Sequence, residues 1–530
     1  MNKADHHSER AKARWAILRN ALLSNSNNRN KNKNNNNSST IESFRDNTAN
    51  DNDSQCISTE NNANTSTSIL IKEHSIHRFS GFQMLKRQTI NVKSSLDAIL
   101  SKGYKLAANV ESPDSSSNSN EIAEYEIPFE VSALNFPRNN DGGYCATRNY
   151  HGDSSNINSS GNNAVTIRTL ERKNIKTKLS MKELMSHVHY GVDNTGNTRV
   201  WDCSNVLAFL ILGEKAIPRE NLSITSNTSS HNNDNSKDDH LEYVYSKNEP
   251  FIGLSDILSL AKDNYSAHCV HERKLLRVLE LGAGMAALPS LALAALYMQY
   301  KSRNNEGTEN GQKTSIPRIH VTITDGHPNA VENNIASARL TQELYDCRGS
   351  DDGKNISCHP LLWKANAIGK QECDELMKNM SRNDVNACPS SSNHNQSEKI
   401  PFDLMLVSDC THFTDFHIDM AATIGRMLRI NGICLLCQPQ RGESLKKFIQ
   451  VIDAMNSNSN AKKGPLFQVD LHQVYNEEIY TRHESLLGEK SEQYDANIHY
   501  PLLLVLKKLR EYYEDEDTET ATMLIQKQSY

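Results

Sequence analysis

Apolar residues in this chain gather in short runs, and the runs alternate between strand-like and helix-like spacing toward the carboxyl-terminal half. Residues 276–281 read as a buried strand and 286–300 as a helix. A strand at 319–324 is followed by a helix at 328–340, with Pro328 in the first turn, where its missing N–H is harmless. Residues 356–363 read as a strand, 402–408 as a strand, 415–428 as a helix, 432–438 as a strand and 444–455 as a helix. Regular alternation of this kind predicts βα units around a parallel sheet. Two last strands, 467–474 and 500–506, have no clear helix between them, which predicts a terminal antiparallel hairpin. The expected fold is therefore α/β: a Rossmann-like, seven-stranded, mostly parallel sheet.

Upstream the pattern is sparser. Residues 8–23 mix Trp15, Ile17, Leu18 and Leu22 with arginines and lysine, and read as a basic amphipathic helix. Such a helix either packs on the domain or meets an acidic partner. Residues 76–82 and 121–132 are ordered islands, the second strand-like. Residues 181–185 start a short helix, 190–199 are turn-rich, and 200–212 run as an apolar helix.

Composition changes how the length of 530 residues is read. Asn/Ser-rich stretches, the longest at 24–66, hold too few apolar residues to offset their ordering entropy. Removing them leaves one medium-sized domain and an extension. The expected organisation is a helix at 1–23, a disordered segment at 24–66, an extension with insertions at 67–180, the main domain at 181–510 and an acidic, fraying tail at 511–530. The net charge of −6 argues against a bulk nucleic-acid binder. The longest nearly apolar run, 288–298, is too short for a bilayer, and residues 1–10 do not resemble a signal peptide. Eleven cysteines show no paired framework. Cys434 and Cys437 are three apart in a strand, so they face opposite sides and suit buried thiols in a reducing compartment. A soluble cytoplasmic or nuclear monomer is expected.

Chemistry concentrates at Arg277-Val-Leu-Glu-Leu-Gly-Ala-Gly-Met285. Gly282 and Gly284 permit a tight turn and close backbone approach to a ligand. Glu280 just before them suits a cationic or hydroxyl-rich ligand and is poorly placed for a pyrophosphate, which points to S-adenosylmethionine over a dinucleotide. Ligands of open α/β sheets bind beyond the carboxyl ends of strands. Those ends carry Glu280, Asp325, Trp363, Asp409 and Gln438. Asp325 suits ribose hydroxyls, or else caps a helix. Asp409 is the candidate catalytic residue facing the methyl and the acceptor amine, or else a helix cap. His412 and Phe413 are candidate substrate contacts, although His412 is also read as an ordinary loop residue. Trp201 and Trp363 line a cofactor pocket or sit in the core.

These residues together resemble the seven-β-strand methyltransferases. More narrowly, Arg14-Trp15, Arg78-Phe79-Ser-Gly-Phe82, Asn194-Thr-Gly-Asn-Thr-Arg-Val-Trp201, Thr324-Asp-Gly326, Leu362-Trp363, Ser408-Asp-Cys410, Pro439-Gln-Arg-Gly442 and His499-Tyr-Pro-Leu-Leu-Leu-Val-Leu506 are similar to the calmodulin-lysine methyltransferase family. The resemblance implies cofactor contacts at Trp201, Glu280, Gly282, Asp325, Trp363 and Asp409, with calmodulin as acceptor and trimethylation of one lysine. Asp202 replaces the proline common after the pocket tryptophan, and His412 stands where an aromatic is usual. Three other readings stay open: a methyltransferase for another protein lysine, a non-catalytic binding protein, and a dinucleotide oxidoreductase. The last wants a glycine where the chain has Ala287.

Overall fold

The sheet that forms is parallel over its first strands because each is followed by a helix that returns the chain, and its central strands are buried along nearly their whole length. In the computed structural model the described residues are 81–90, 120–129, 164–172, 200–213, 253–261, 275–305, 316–345, 355–385, 400–412, 414–457, 464–489, 494–514, 517–518 and 521–523. All belong to the unit formed by residues 75–530, and none to that formed by Met1–His74. The expected helix at 8–23, the segment 24–66, the features at 181–185 and 190–199, and Phe413 lie outside the described residues.

The main sheet contains β4 (Leu275–Leu281), β5 (Arg318–Asp325), β6 (Ile356–Pro360), β7 (Phe402–Ser408), β8 (Leu428–Pro439), β9 (Phe467–His472) and β10 (Pro501–Lys508). Their order is β6-β5-β4-β7-β8-β10-β9. Pairings from β6 to β8 are parallel, while β10 runs antiparallel to both β8 and β9. Every residue of β4 is buried, as a central parallel strand requires.

The antiparallel pair is not joined by a short loop. Two helices lie between its strands, Glu477–Gly488 and Ala496–His499. The first has the marks of a helix start: Asn476 caps it by accepting from the Ile479 N–H at 3.1 Å, and Glu477 and Glu478 occupy the first turn. Only Ile479, His483 and Leu486 are buried on it, a narrow stripe that weakens the apolar signal.

A second sheet precedes the first. Its strands are β1 (Lys86–Ile90), β2 (Asn120–Pro128) and β3 (Ala164–Arg172), antiparallel in that order. One face is tied by pairs across neighbouring strands, Lys86 to Glu126 at 2.6 Å and Arg168 to Glu124 at 2.9 Å, while on the other face Arg87 meets Glu171 at 2.8 Å. Tyr125, Ile127, Val165 and Ile167 belong to the same hydrophobic cluster as the main sheet.

The helices that matter for the site are α1 (Asp202–Leu212), α2 (Leu254–Ser259), α3 (Leu288–Asn305), α4 (Pro328–Leu344), α5 (Ala367–Val385), α6 (His417–Met427) and α7 (Ser444–Asn456). Helix α3 touches β3 on one side and β4 and β5 on the other. That explains its apolar run: residues 288–298 are all buried, because the helix has a sheet on both sides. No helix among the described residues is long and apolar enough to cross a membrane.

Strand β3 is an edge of its sheet, and α4 covers that edge. The N–H and C=O of Thr166 bond to the Tyr345 hydroxyl at 3.0 and 2.8 Å. Those of Arg168 bond to Thr341 Oγ1 at 3.1 and 2.9 Å. The Leu170 N–H donates to Ser337 Oγ at 3.0 Å, and its carbonyl accepts from Asn333 Nδ2 at 2.7 Å. The side chains stand four apart on the helix and the strand residues two apart. The periods agree, at about 6.0 Å per four helical residues and roughly 6.6 Å per two strand residues.

The expectation of a fraying acidic tail does not hold for its described part. Asp517 is fully buried and accepts two hydrogen bonds from Arg510, at 2.9 and 2.7 Å. A buried carboxylate with a bidentate guanidinium keeps this segment on the domain.

Candidate functional site

The strand order reverses between β4 and β7, and a cleft opens at such a switch point beyond the carboxyl ends of the strands. Gly282 follows β4 with φ +63, and Gly284 follows with φ +60. Both values belong to the left-handed region that a side chain disfavours. A Cβ built on Gly282 would lie 2.8 Å from Cys410 Sγ and 2.8 Å from the Trp363 ring. The glycine turn, the residue after Asp409 and the tryptophan after β6 are therefore in direct contact.

Asp325 ends β5 and holds the turn. Its carboxylate accepts from the Gly284 N–H at 2.8 Å through one oxygen and from the His327 N–H at 2.8 Å through the other. It does not cap α4, whose capping residue is His327. Asn334 adds a hydrogen bond to the Gly284 carbonyl at 3.0 Å, and Asn333 reaches the Met285 carbonyl at 2.5 Å. Helix α4 thus grips the glycine turn and strand β3 with adjacent side chains.

Glu280 lies beneath the turn and is 1% exposed. One oxygen accepts from the Ser290 N–H at 3.1 Å, in the first turn of α3. The other, Oε1, is buried without a hydrogen-bond partner. Burial pushes its pKa up to about 7 against the pull of the Ser290 hydrogen bonds, with the nearby Asp325 charge adding to the rise. Burial also pushes the Cys410 thiol well above its ordinary range, helped by the charges of Asp409, Asp325 and Glu280. Three of the carboxylates expected at the site do converge on this thiol.

Asp409 has φ +54 and is 8% exposed. Its carboxylate is already engaged: Arg441 donates to Oδ1 at 2.9 Å and to Oδ2 at 2.6 Å, and Gln438 donates to Oδ1 at 3.1 Å. Burial raises its pKa, but the Arg441 and His412 charges and these hydrogen bonds together hold it below the usual carboxylate value. Helix α6 is capped by Phe416, so Asp409 is not its cap. His412 accompanies Asp409, its Nδ1 lying 3.2 Å from the Asp409 carbonyl.

Arg441 is the site residue that strand-end reasoning passed over. It lies two positions beyond β8, has φ +44, and its guanidinium stands 5.4 Å over the Trp201 ring. Asn497 fixes its loop, accepting from the Arg441 N–H at 2.6 Å and the Gly442 N–H at 3.0 Å. Trp201 itself occupies the capping position of α1. Asp202, the departure from the expected proline, accepts from the Phe82 N–H at 3.4 Å and so ties Trp201 to the Phe82 block. Of the four non-glycine residues with positive φ among the described residues, Ala287, Asp409 and Arg441 surround this cleft. Concentrated backbone strain of this kind marks functional sites.

The residues fit S-adenosylmethionine. Glu280 Oε1 is a buried acceptor awaiting a donor, the glycine turn brings the backbone close, and Trp363 offers an aromatic face beside it. Among the described residues no cluster of metal-ligating side chains occurs.

Residues 375–455 match a family profile described as lysine methyltransferase. A calmodulin-lysine N-methyltransferase from Arabidopsis thaliana is 34% identical over 111 residues, covering 19% of this chain and 32% of that protein. The match thus spans about a third of the relative's length. Among solved structures, an rRNA methylase from Streptococcus thermophilus has 11% identity and a TM-score of 0.24, covering 48% of this chain and 92% of its own. An O-methyltransferase from Bacillus cereus in complex with SAH has 10% identity and a TM-score of 0.22, covering 44% and 74%. Likeness at that level carries no functional weight. The lysine-methyltransferase segment and the donor set of the cleft agree on S-adenosylmethionine as the cofactor.

Proposed function

We propose that this protein is a protein-lysine N-methyltransferase that transfers up to three methyl groups from S-adenosylmethionine to one lysine of calmodulin. The observation that carries the reading is the convergence of Glu280, Asp325, Asp409, Trp363 and the glycine turn at one switch point, in a chain whose residues 375–455 match the lysine-methyltransferase profile. The calmodulin acceptor is supported by the Arabidopsis relative alone.

S-adenosylmethionine supplies a methyl group on a sulfonium that needs no further activation. The chain's own task is to bind, orient and keep the acceptor neutral. Asp325, held by the Gly284 and His327 N–H groups, is the carboxylate proposed to meet the ribose hydroxyls. Trp363 and Trp201 supply flat apolar faces. A lysine amine titrates near about 10.4 in water, so it must enter a desolvated channel to lose its proton. Asp409 is a weak base, since Arg441 holds it ionised. Its part is positioning: it fixes the guanidinium that stands over Trp201. His412 and Phe413 are proposed as the acceptor contacts, since an aromatic ring favours methylated ammonium. Rate enhancement then comes from proximity and alignment. Arg14, Arg19, Lys72 and Arg78 are proposed to steer the acidic acceptor, with association slowed by salt.

The test is mass spectrometry of unmethylated calmodulin after incubation with the protein and S-adenosylmethionine. A gain of methyl groups on one lysine is expected. No gain, with S-adenosylhomocysteine still bound, would remove calmodulin and leave another protein lysine as acceptor.

A further inference from the structure

Trp363 reaches the cleft from a segment without regular structure. Strand β6 ends at Pro360 and α5 begins at Ala367, so the placement of residues 361–366 depends on their hydrogen bonds. The Leu361 N–H donates to the Asp325 carbonyl at 3.0 Å. Beyond Trp363, helix α6 takes over from two positions seven residues apart on one face. Asp419 Oδ1 accepts from the Ala365 N–H at 2.6 Å. Arg426 donates to the carbonyls of Lys364, Ala365 (2.6 Å) and Asn366 (3.4 Å). One guanidinium thus holds three consecutive carbonyls of the loop that carries the tryptophan.

That guanidinium is held from its other side. Arg426 Nε donates to Glu514 Oε1 at 2.6 Å, and the Tyr512 ring stands 5.7 Å from its centre. Tyr512 fits because residue 425 is glycine: a Cβ there would meet the ring at 2.9 Å. The second Glu514 oxygen meets Lys370 Nζ of α5 at 3.0 Å. Glu514 therefore links α6 to α5, the two helices flanking the loop. The Arg426 side chain is 5% exposed, so its own pair with Glu514 is largely sheltered from solvent screening, unlike that of the half-exposed Lys370.

We propose that Arg426, oriented by Glu514 of the carboxyl-terminal segment, is a positioning residue that sets the Trp363 wall of the cofactor cleft. The proposal rests on the reading of that cleft as the S-adenosylmethionine site. Glu514 touches no part of the cleft itself, yet its carboxylate fixes the rotamer that spans the three carbonyls. Without it the guanidinium is free to leave them, and Trp363 loses its registration against Gly282.

The experiment uses the full-length protein and titrates S-adenosylhomocysteine, and separately adenosine, by calorimetry. Glu514→Gln is compared with the unsubstituted protein and with Glu126→Gln, which breaks an ion pair on the small sheet. Glu514→Gln should weaken both ligands by about fivefold to tenfold, and Arg426→Lys should weaken them further, since an ammonium cannot span three carbonyls. Amide exchange at residues 364–370 should quicken in Glu514→Gln and stay unchanged in Glu126→Gln. Binding by Glu514→Gln within about twofold of the unsubstituted protein would overturn the proposal alone. So would weakened binding with unchanged exchange at those amides. Failure of the unsubstituted protein to bind would overturn the cofactor reading, and this one with it.

Discussion

At the residue scale, Glu280 behaves as a buried carboxyl whose ionisation opposes folding. Its pKa rises from 4.5 in the unfolded chain to about 7 in the fold. The folded protein then binds the proton more tightly, so stability falls as pH rises from 4.5 towards 7 and levels off above. The full fall is on the order of 3 kcal/mol. Glu280→Gln should abolish this slope, read as the difference in urea midpoint between the two proteins across that window. Asp409 does not mask the effect: its lowered pKa places its loss of stabilisation at more acid pH. Most of the candidate cleft residues are legible at this scale because strand ends advertise themselves: an apolar run stops, and a carboxylate or tryptophan follows. Arg441 was not legible that way. It stands two residues past its strand, and only the folded chain brings it onto Asp409 and over Trp201.

At the element scale, the alternation of strands and helices foretold the main sheet, since strand β7 and the start of α7 fall at the residues the pattern marks. The two helices before β10 were missed because burial on them is sparse. The covering of β3 by α4 was invisible for a different reason. Asn333, Ser337, Thr341 and Tyr345 read as the polar face of an ordinary helix, and their partners are backbone groups of a distant strand. Thr341→Val keeps shape and removes the hydroxyl that serves both Arg168 groups. It should destabilise by roughly 1 kcal/mol, since a part-buried N–H and C=O lose their partner. Chemical denaturation checks this, with Thr322→Val, on β5 away from that edge, as comparison.

At the scale of the whole molecule, the small sheet and the main sheet share one hydrophobic cluster, with α3 buried between them. Shared burial makes separate unfolding expensive, because either sheet alone would expose α3. A single cooperative transition is expected for the described fold. Tryptophan fluorescence of a Trp15→Phe variant, which leaves Trp201 and Trp363 as reporters, should coincide with amide exchange at β2 across a denaturant series. Two separated transitions would contradict the shared core.

The cover on β3 has a consequence in time. Its partners on α4 lie 163 to 179 residues further along the chain. In a protein made from its amino end, the strand emerges first and waits for its cover for on the order of ten to thirty seconds. During that wait Val165 and Ile167 on one face and Leu170 on the other flank an open row of N–H and C=O groups, which invites pairing with another nascent chain. Arg168 and Glu171, set among those apolar positions, place charge on the waiting strand. Slowing synthesis between residues 172 and 328 would lengthen the exposure, so the yield of soluble protein should depend on translation speed across that stretch.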